Sequence, residues 1–369
     1  MGSVGSFFVG LLAFPPLFFF FTAFAVAQGN SATPASVSNI PPSGSSIALR
    51  ATSTMSVASE TGGAFMSPAK CDADGNLYIR KYATDRPLLG PVVKIDPDGK
   101  RTSLFDPAAF SQLALDRADA FSPASDGGMY QIAQSGVLKP RIYVLRFSSD
   151  GSPSSPTRLD ADFEVYTFAA FADGNFLVSG VKRDVQNKSD RGRNFTAMFS
   201  ADGRELAQLS FPEARGTAKA GTKSNALAHQ NVAQKDVEKS APTLDLADAE
   251  VGSDGNLYVM RGSTPALVYV IASSGKILKT IKVFAPLPGA VPSGLHVSEN
   301  RLAISFSNHD EQSQTIVVAD AQTGRKIASY TDATGMGASF ACYSANDGVF
   351  SFLRLGEGNE LEVIRAEAQ

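Results

Sequence analysis

The sequence predicts an all-β protein built from repeated four-stranded antiparallel units, and three observations carry that expectation. The pentapeptide Asp-Gly-Asn-Leu-Tyr occurs twice, at 74–78 and 254–258. Weaker relatives place acidic residues at 126, 173, 299 and 347, so the marker steps are 52, 47, 81, 45 and 48 residues. A second turn follows each of the first five markers, ending in Gly99, Gly151, Gly203, Gly275 and Gly324.

A period in the forties with β-type runs between turns is the mark of stacked supersecondary units. Glycine at such turns supplies the positive φ that a tight hairpin needs. Short apolar runs such as Leu77-Tyr78-Ile79, Tyr143-Val144-Leu145 and Ile316-Val317-Val318 lie between them. Each unit therefore reads as strand, Asp-Gly turn, strand, loop, strand, glycine turn, strand. That is the layout of a propeller blade, and six units make a six-bladed β-propeller.

The ends fit a closed ring. Only 21 residues follow Gly348, so the sixth unit lacks its outer strand. Ser46-Ile47-Ala48-Leu49-Arg50-Ala51 is the natural donor, and closure with both termini in one blade removes a weak seam. The 81-residue step leaves room for a seventh blade. Pro212–Thr243 has no strand alternation, however, and 212–243 reads as a surface insertion between blades three and four.

Residues 1–27 read as a signal peptide. Phe7–Ala27 is nearly all apolar, broken by Pro15-Pro16, and ends in Ala25-Val26-Ala27 before Gln28. A membrane anchor is the rival reading, and the missing Lys or Arg ahead of the apolar run departs from the usual signal. Residues 28–45, rich in Ser, Pro, Ala, Asn and Gly, read as a flexible leader, and 46–369 as the propeller. The expectation is export to the periplasm or beyond, with no stable membrane insertion after cleavage.

Composition narrows the function. There are 33 Lys+Arg against 36 Asp+Glu, a formal net charge of -3, so nothing points to a nucleic-acid partner. Trp is absent and only three His are available for chemistry.

The Asp-Gly-Asn-Leu-Tyr lead into the second strand, preceded by a short apolar strand, resembles the NHL repeat. More broadly, about residues 46–369 are similar to six-bladed propellers of the TolB-like class. Units five and six depart from the pattern, where Asp-Gly is lost or the flanking strand drifts. The resemblance implies the fold and leaves the activity open, because that class includes binding scaffolds, lactonases and lyases.

Chemistry is expected where the innermost strands approach the channel. Counting four residues back from each marker gives Lys70, Ser122, Ala169, Glu250, Leu295 and Tyr343. The fifth turn is one residue short, so His296 takes the station of Leu295. Asp248 lies on the same side of its strand as Glu250. Lys70, Asp248, Glu250 and His296 are thus the candidate ligand-binding residues, with Glu250 and His296 the candidate acid and base. The bland reading is the polar lining of a hydrated channel, with a Lys–Glu pair between blades.

Other motifs are weaker. Asp72-Ala73-Asp74-Gly75-Asn76 invites a calcium reading, but Ala83 stands where an EF-hand loop has its bidentate Glu. No metal and no cofactor are expected. The lactonases of this fold use a Glu, Asn and Asp set, whereas the inner strand of blade one reads Gly62-Gly63-Ala64-Phe65, with no acidic residue where such enzymes begin. The streptogramin-lyase-like propellers use a histidine base, and His296 alone sits on an inner strand. No Gly-x-Ser-x-Gly elbow, His-Glu-x-x-His or P-loop is present. Cys71 and Cys342 fall near the inner-strand ends of blades one and six, where they form either a disulfide or two separate buried thiols.

The expected function is an exported binding module, monomeric, recognising a protein, peptide or glycan through one loop face. The alternative is a propeller hydrolase or lyase with its site at the channel mouth.

Overall fold

The computed structural model describes residues 37–39, 46–57, 65–136, 140–159, 163–182, 194–211, 246–307, 314–332, 339–357 and 360–369. The expected signal peptide and the 212–243 insertion lie outside the described residues. The chain begins with β1 (Val37–Asn39) and β2 (Ile47–Ser56). The first sheet holds β3 (Phe65–Cys71), β4 (Leu77–Lys81), β5 (Val92–Ile95) and β6 (Arg101–Phe105). The second holds β7 (Arg117–Pro123), β8 (Met129–Ser135), β9 (Arg141–Phe147) and β10 (Thr157–Leu159). The third holds β11 (Phe163–Ala170), β12 (Phe176–Lys182), β13 (Asn194–Phe199) and β14 (Glu205–Gln208). The fourth holds β15 (Leu246–Val251), β16 (Leu257–Arg261), β17 (Ala266–Ile271) and β18 (Ile277–Val283).

The remaining strands are β19 (Val291–Ser298), β20 (Arg301–Ser307), β21 (Gln314–Asp320), β22 (Lys326–Thr331), β23 (Ser339–Tyr343), β24 (Phe350–Leu355) and β25 (Leu361–Ala368). They join β2 in one eight-stranded sheet, ordered β19-β20-β21-β22-β2-β25-β24-β23. This is an all-β propeller of four-stranded antiparallel blades. The sequence expects six separate sheets, whereas the described strands make five. The reason is local: β2 pairs in parallel with β22 over Ile47↔Tyr330 and Ala48↔Thr331 before running antiparallel along β25. Part of the expected flexible leader is also a strand, because β1 adds in parallel to β18.

The innermost strands contact one another in the order β3, β7, β11, β15, β19, β23 and again β3. Apolar clusters fill the spaces between blades. Tyr78, Phe105, Phe121 and Phe147 pack between the first two sheets, and Val57, Leu77, Cys342 and Val363 pack where β23–β25 meet the first. Antiparallel alternation puts the marker and second turns on one face of the propeller, and the remaining connections on the other.

The repeated pentapeptide now has a physical role. Gly75 takes φ 77, and Asp72 Oδ1 accepts hydrogen bonds from the backbone N–H groups of Asp74 and Asn76. The Tyr78 hydroxyl then lies 3.2 Å from Asp72 Oδ2 and 3.1 Å from the Gly127 carbonyl of the next blade, two acceptors that share its one proton. Lys94 lies 3.1 Å from the same Asp72 oxygen, so turn and staple engage both carboxylate oxygens. Burial and the Asp72 charge push the Tyr78 phenol well up, keeping it a donor. In the second copy Tyr258 donates to Asp254, and Lys279 reaches the carbonyls of Ala321 and Gln322 in the following blade. In both copies the motif is a turn held by its own aspartate, and in the first it also fastens its blade to the next.

Each innermost strand also slips register against its neighbour partway along. The slips lie at Met66/Lys70, Ala118/Phe121, Val165/Thr167, Leu246/Asp248, Pro292/Gly294 and Phe340/Cys342. Such bulges bend a strand and re-aim the extra residue.

Candidate functional site

The candidate residues occupy one level of the inner strands. Lys70 pairs with Tyr78 and Glu250 with Tyr258, each in the second row from its turn. In the fifth unit the marker turn has no glycine, and Glu299 itself takes φ 49. That tighter turn lets Ser298 pair with Arg301, which moves His296 to the row of Ala303 and onto the expected station. The sixth unit requires a correction. Its turn is a residue longer, so Cys342 rather than Tyr343 stands in the Lys70 row, paired with Ser351.

The structure brings all four charged candidates into one network. Lys70 Nζ donates to Asp248 Oδ1 and, at 3.3 Å, to the Ala249 carbonyl. Strand β3 stands three places from β15 in the cyclic order of inner strands, so this contact crosses the axis. His296 Nδ1 lies 2.9 Å from Glu250 Oε2. A hydrogen in the ring plane on Nδ1 does not point at that oxygen, so the contact is a close approach rather than an aligned hydrogen bond.

The carboxylates have a second duty. Glu250 Oε2 accepts the Val297 backbone N–H at 2.9 Å, and Asp248 Oδ2 faces the Leu295 N–H at 3.4 Å. Both donors belong to β19 of the next blade. The same device recurs with hydroxyls: Ser122 Oγ accepts from Ala170 N and Ser298 Oγ from Ala345 N. Inner strands leave one edge unpaired, and these side chains satisfy it. This duty was not legible in the residues, because the partners lie 47 residues away on a strand whose offset depends on blade packing.

Burial is nearly complete, with relative exposures of 5% for Lys70, 9% for Glu250 and 4% for His296. Burial pushes the Lys70 ammonium down from its ordinary range, with Glu250 opposing. Burial also pushes the Glu250 carboxyl up, but the His296 charge and contact, Lys70 and the Val297 N–H outweigh it and hold it below the ordinary range. Glu250 is therefore a carboxylate fixed by its neighbours. Among the described residues no group of three or more His, Cys, Asp or Glu could hold a metal ion.

Cys71 and Cys342 have their sulfurs in bonding contact with Cα atoms 6.1 Å apart, the geometry of a disulfide. The bridge joins β3 to β23, where the last inner strand meets the first. The other two histidines, His229 and His309, lie outside the described residues.

No protein-family model matches this chain, and no curated protein matches it. Among solved structures it is similar to a protein of unknown function from Bacteroides caccae, at 13% identity over 73% of this chain and 82% of that one, with a TM-score of 0.42. It is also similar to the Dos1 propeller, at 11% identity over 79% of this chain and 75% of that one, with a TM-score of 0.40. Neither likeness bears on activity, and the architecture rests on the strand pairing. Among the described residues no helix is long and apolar enough to cross a membrane.

Two outcomes follow. A carboxyl whose folded pKa is lowered stabilises the fold above its unfolded value and loses that contribution as pH falls. Stability should therefore decline below about pH 4.5, the ordinary value for Glu250, and Glu250→Gln should flatten the decline while lowering stability at pH 7. Lys70 does not shape that limb, because its penalty is constant at acid pH. Urea melts from pH 3 to 7 check this. Thiol titration of unfolded, unreduced protein should find no free thiol. The closed loop spans 271 positions, and chain entropy puts the stabilisation above about 4 kcal/mol.

Proposed function

We propose that this chain is an exported six-bladed propeller of the NHL or TolB-like kind that acts as a binding module. The eight-stranded sheet reads as two blades, β19–β22 and β23–β25 with β2, joined by the short β2–β22 bridge. The cyclic order of inner strands supports the same count. The signal-like N-terminus supports export, and a closed Cys71–Cys342 bridge suits an oxidising compartment.

The observation that carries the binding reading is the engagement of the channel charges. Lys70, Asp248, Glu250 and His296 are buried against one another and against backbone N–H groups, so none is presented to a substrate. An acid and base pair must reach a reacting proton, which weighs against the hydrolase or lyase alternative at Glu250 and His296.

Several exposed apolar side chains lie on the face away from the marker turns. Tyr82 and Leu88 lie in the connection after β4, Leu287 precedes β19, Val291 begins it, and Leu355 ends β24. The loop carrying Leu88 is held in place. Arg86 grips Asp106 through two contacts of 2.6 and 2.7 Å, and Arg80 donates to the Leu88 carbonyl. A preformed, partly apolar surface on a rigid scaffold suits recognition of a protein, peptide or glycan.

The test immobilises the intact protein against peptide-display and glycan libraries beside Tyr82→Ala/Leu88→Ala and Glu250→Gln. The expected ligand is lost with the loop-face variant and kept with Glu250→Gln. Turnover of an ester or lactone panel that Glu250→Gln abolishes would overturn the binding reading.

A further inference from the structure

The outermost strand of a blade has one edge that its own sheet leaves unpaired, and such an edge is a template for another strand. In this propeller the edges are treated unequally. Among the described residues no further strand pairs with β6, β10 or β14, which are five, three and four residues long. Strand β18 is seven residues long, and its blade carries β1 as a fifth strand.

Bulges sharpen the contrast. After the second turn an outer strand carries one extra residue against its neighbour, at Thr102, Leu206, Leu278 and Ile327. A bulge kinks the strand and spoils that part of its edge as a template. Beyond the bulge β14 keeps only residues 207–208 and β6 only 103–105 in regular pairing. Strand β22 keeps 328–331, and β18 keeps 279–283, the longest regular outer edge of the first five blades.

The side chains of this stretch do not protect it. Thr280, Ile281 and Val283 are β-branched and suit a strand. Lysine ordinarily blunts an edge, but Lys279 reaches the Ala321 and Gln322 carbonyls of the next blade, and Lys282 lies over the Phe284 ring. If the stretch paired with itself, antiparallel about Ile281, Lys279 would stand against Val283 and Lys282 against Thr280. No lysine would face a lysine, so charge does not forbid the pair.

The N-terminal chain covers this place. Strand β1 lies parallel to β18, with Val37 beside Thr280, Ser38 beside Ile281 and Asn39 beside Lys282. The same chain then pairs Ile47 and Ala48 with Tyr330 and Thr331 of β22 before completing the sixth blade. The two outer strands with the most regular edge left are thus the two that this chain meets.

We infer that the outer edge of β18 is a strand-accepting surface, that β1 is its guard, and that the occupant it excludes is the same edge of a second copy of this chain. Two copies would pair edge to edge about a two-fold axis, each supplying the same strand. The guard holds through three residue pairs only, but its tether to β2 keeps it at high local concentration, so it outcompetes a second molecule.

Successive residues of a strand turn their N–H groups to opposite sides, so of Ser38 and Asn39 one points at β18 and the other away. Proline cannot donate to a ladder and is tolerated where the N–H faces outward. The test prepares the full chain as Ser38→Pro and, separately, as Asn39→Pro. Over a range of concentrations it follows mass by sedimentation and amide hydrogen exchange in residues 277–283. Wild type and one variant should stay monomeric, with slow exchange in β18. The other variant should dimerise with a dissociation constant about tenfold or more below any seen for wild type. Its β18 amides should exchange fast when dilute and slowly when dimeric. If neither variant associates more than wild type, the inference is overturned. Association that leaves exchange at 277–283 independent of concentration runs through another surface and also overturns it. Equal association of both variants would mean a general loosening of the fold and overturns it as well.

Discussion

The Lys70 ammonium and the Asp248 carboxylate meet across the propeller axis, and the rest of the structure is arranged around that contact. Two charges buried together lose several kcal/mol each of hydration, which only close approach and full hydrogen bonding offset. Both conditions are met. Asp248 also faces the Leu295 N–H, Lys70 also binds the Ala249 carbonyl, and Glu250 with His296 continues the network onto β19. Removal of one member leaves a buried charge without its partner. The network therefore fixes how blades from opposite sides of the ring face one another, a task that apolar packing between adjacent blades does not perform.

Closure uses different chemistry at the seam. There β2 completes the pairing of β25, Val57 donates to the Leu361 carbonyl, and Cys71 meets Cys342 beside Lys70. The proximity of that bridge to the network has a consequence for rigidity. The residue before Cys71 is the one that crosses the axis, so the seam and the axis restrain the same strand end.

Much of this was legible in the residues because turn chemistry is local. Asp-Gly at the markers fixed the strand starts, and the row of Lys70, Glu250 and His296 followed from counting back along a strand. The short fifth turn was visible as a missing residue, and it delivered His296 to its place. The longer sixth turn was not, so Tyr343 was counted where Cys342 stands. The six expected sheets became five because Ile47 and Ala48 bridge to β22, a pairing set by where the donor strand crosses the outside of its neighbour. The clamping role of Asp248 and Glu250 was hidden for a similar reason, since it depends on the offset between blades. The Val165/Thr167 bulge was missed although its cause was in plain view. Gly180 interrupts an apolar strand, and an isolated glycine there signals a bulge or a close backbone approach.

Because the axis contact carries the arrangement, a double-mutant cycle on it is the most direct measurement. Urea unfolding of wild type, Lys70→Met, Asp248→Leu and the double variant at pH 7 gives the coupling. Each single change should destabilise by about 3–5 kcal/mol, and the double variant should be more stable than either single one, since a shape-matched apolar pair removes the stranded charge. Two small, additive losses would contradict the account, because they would mean that Lys70 and Asp248 do not depend on each other across the axis.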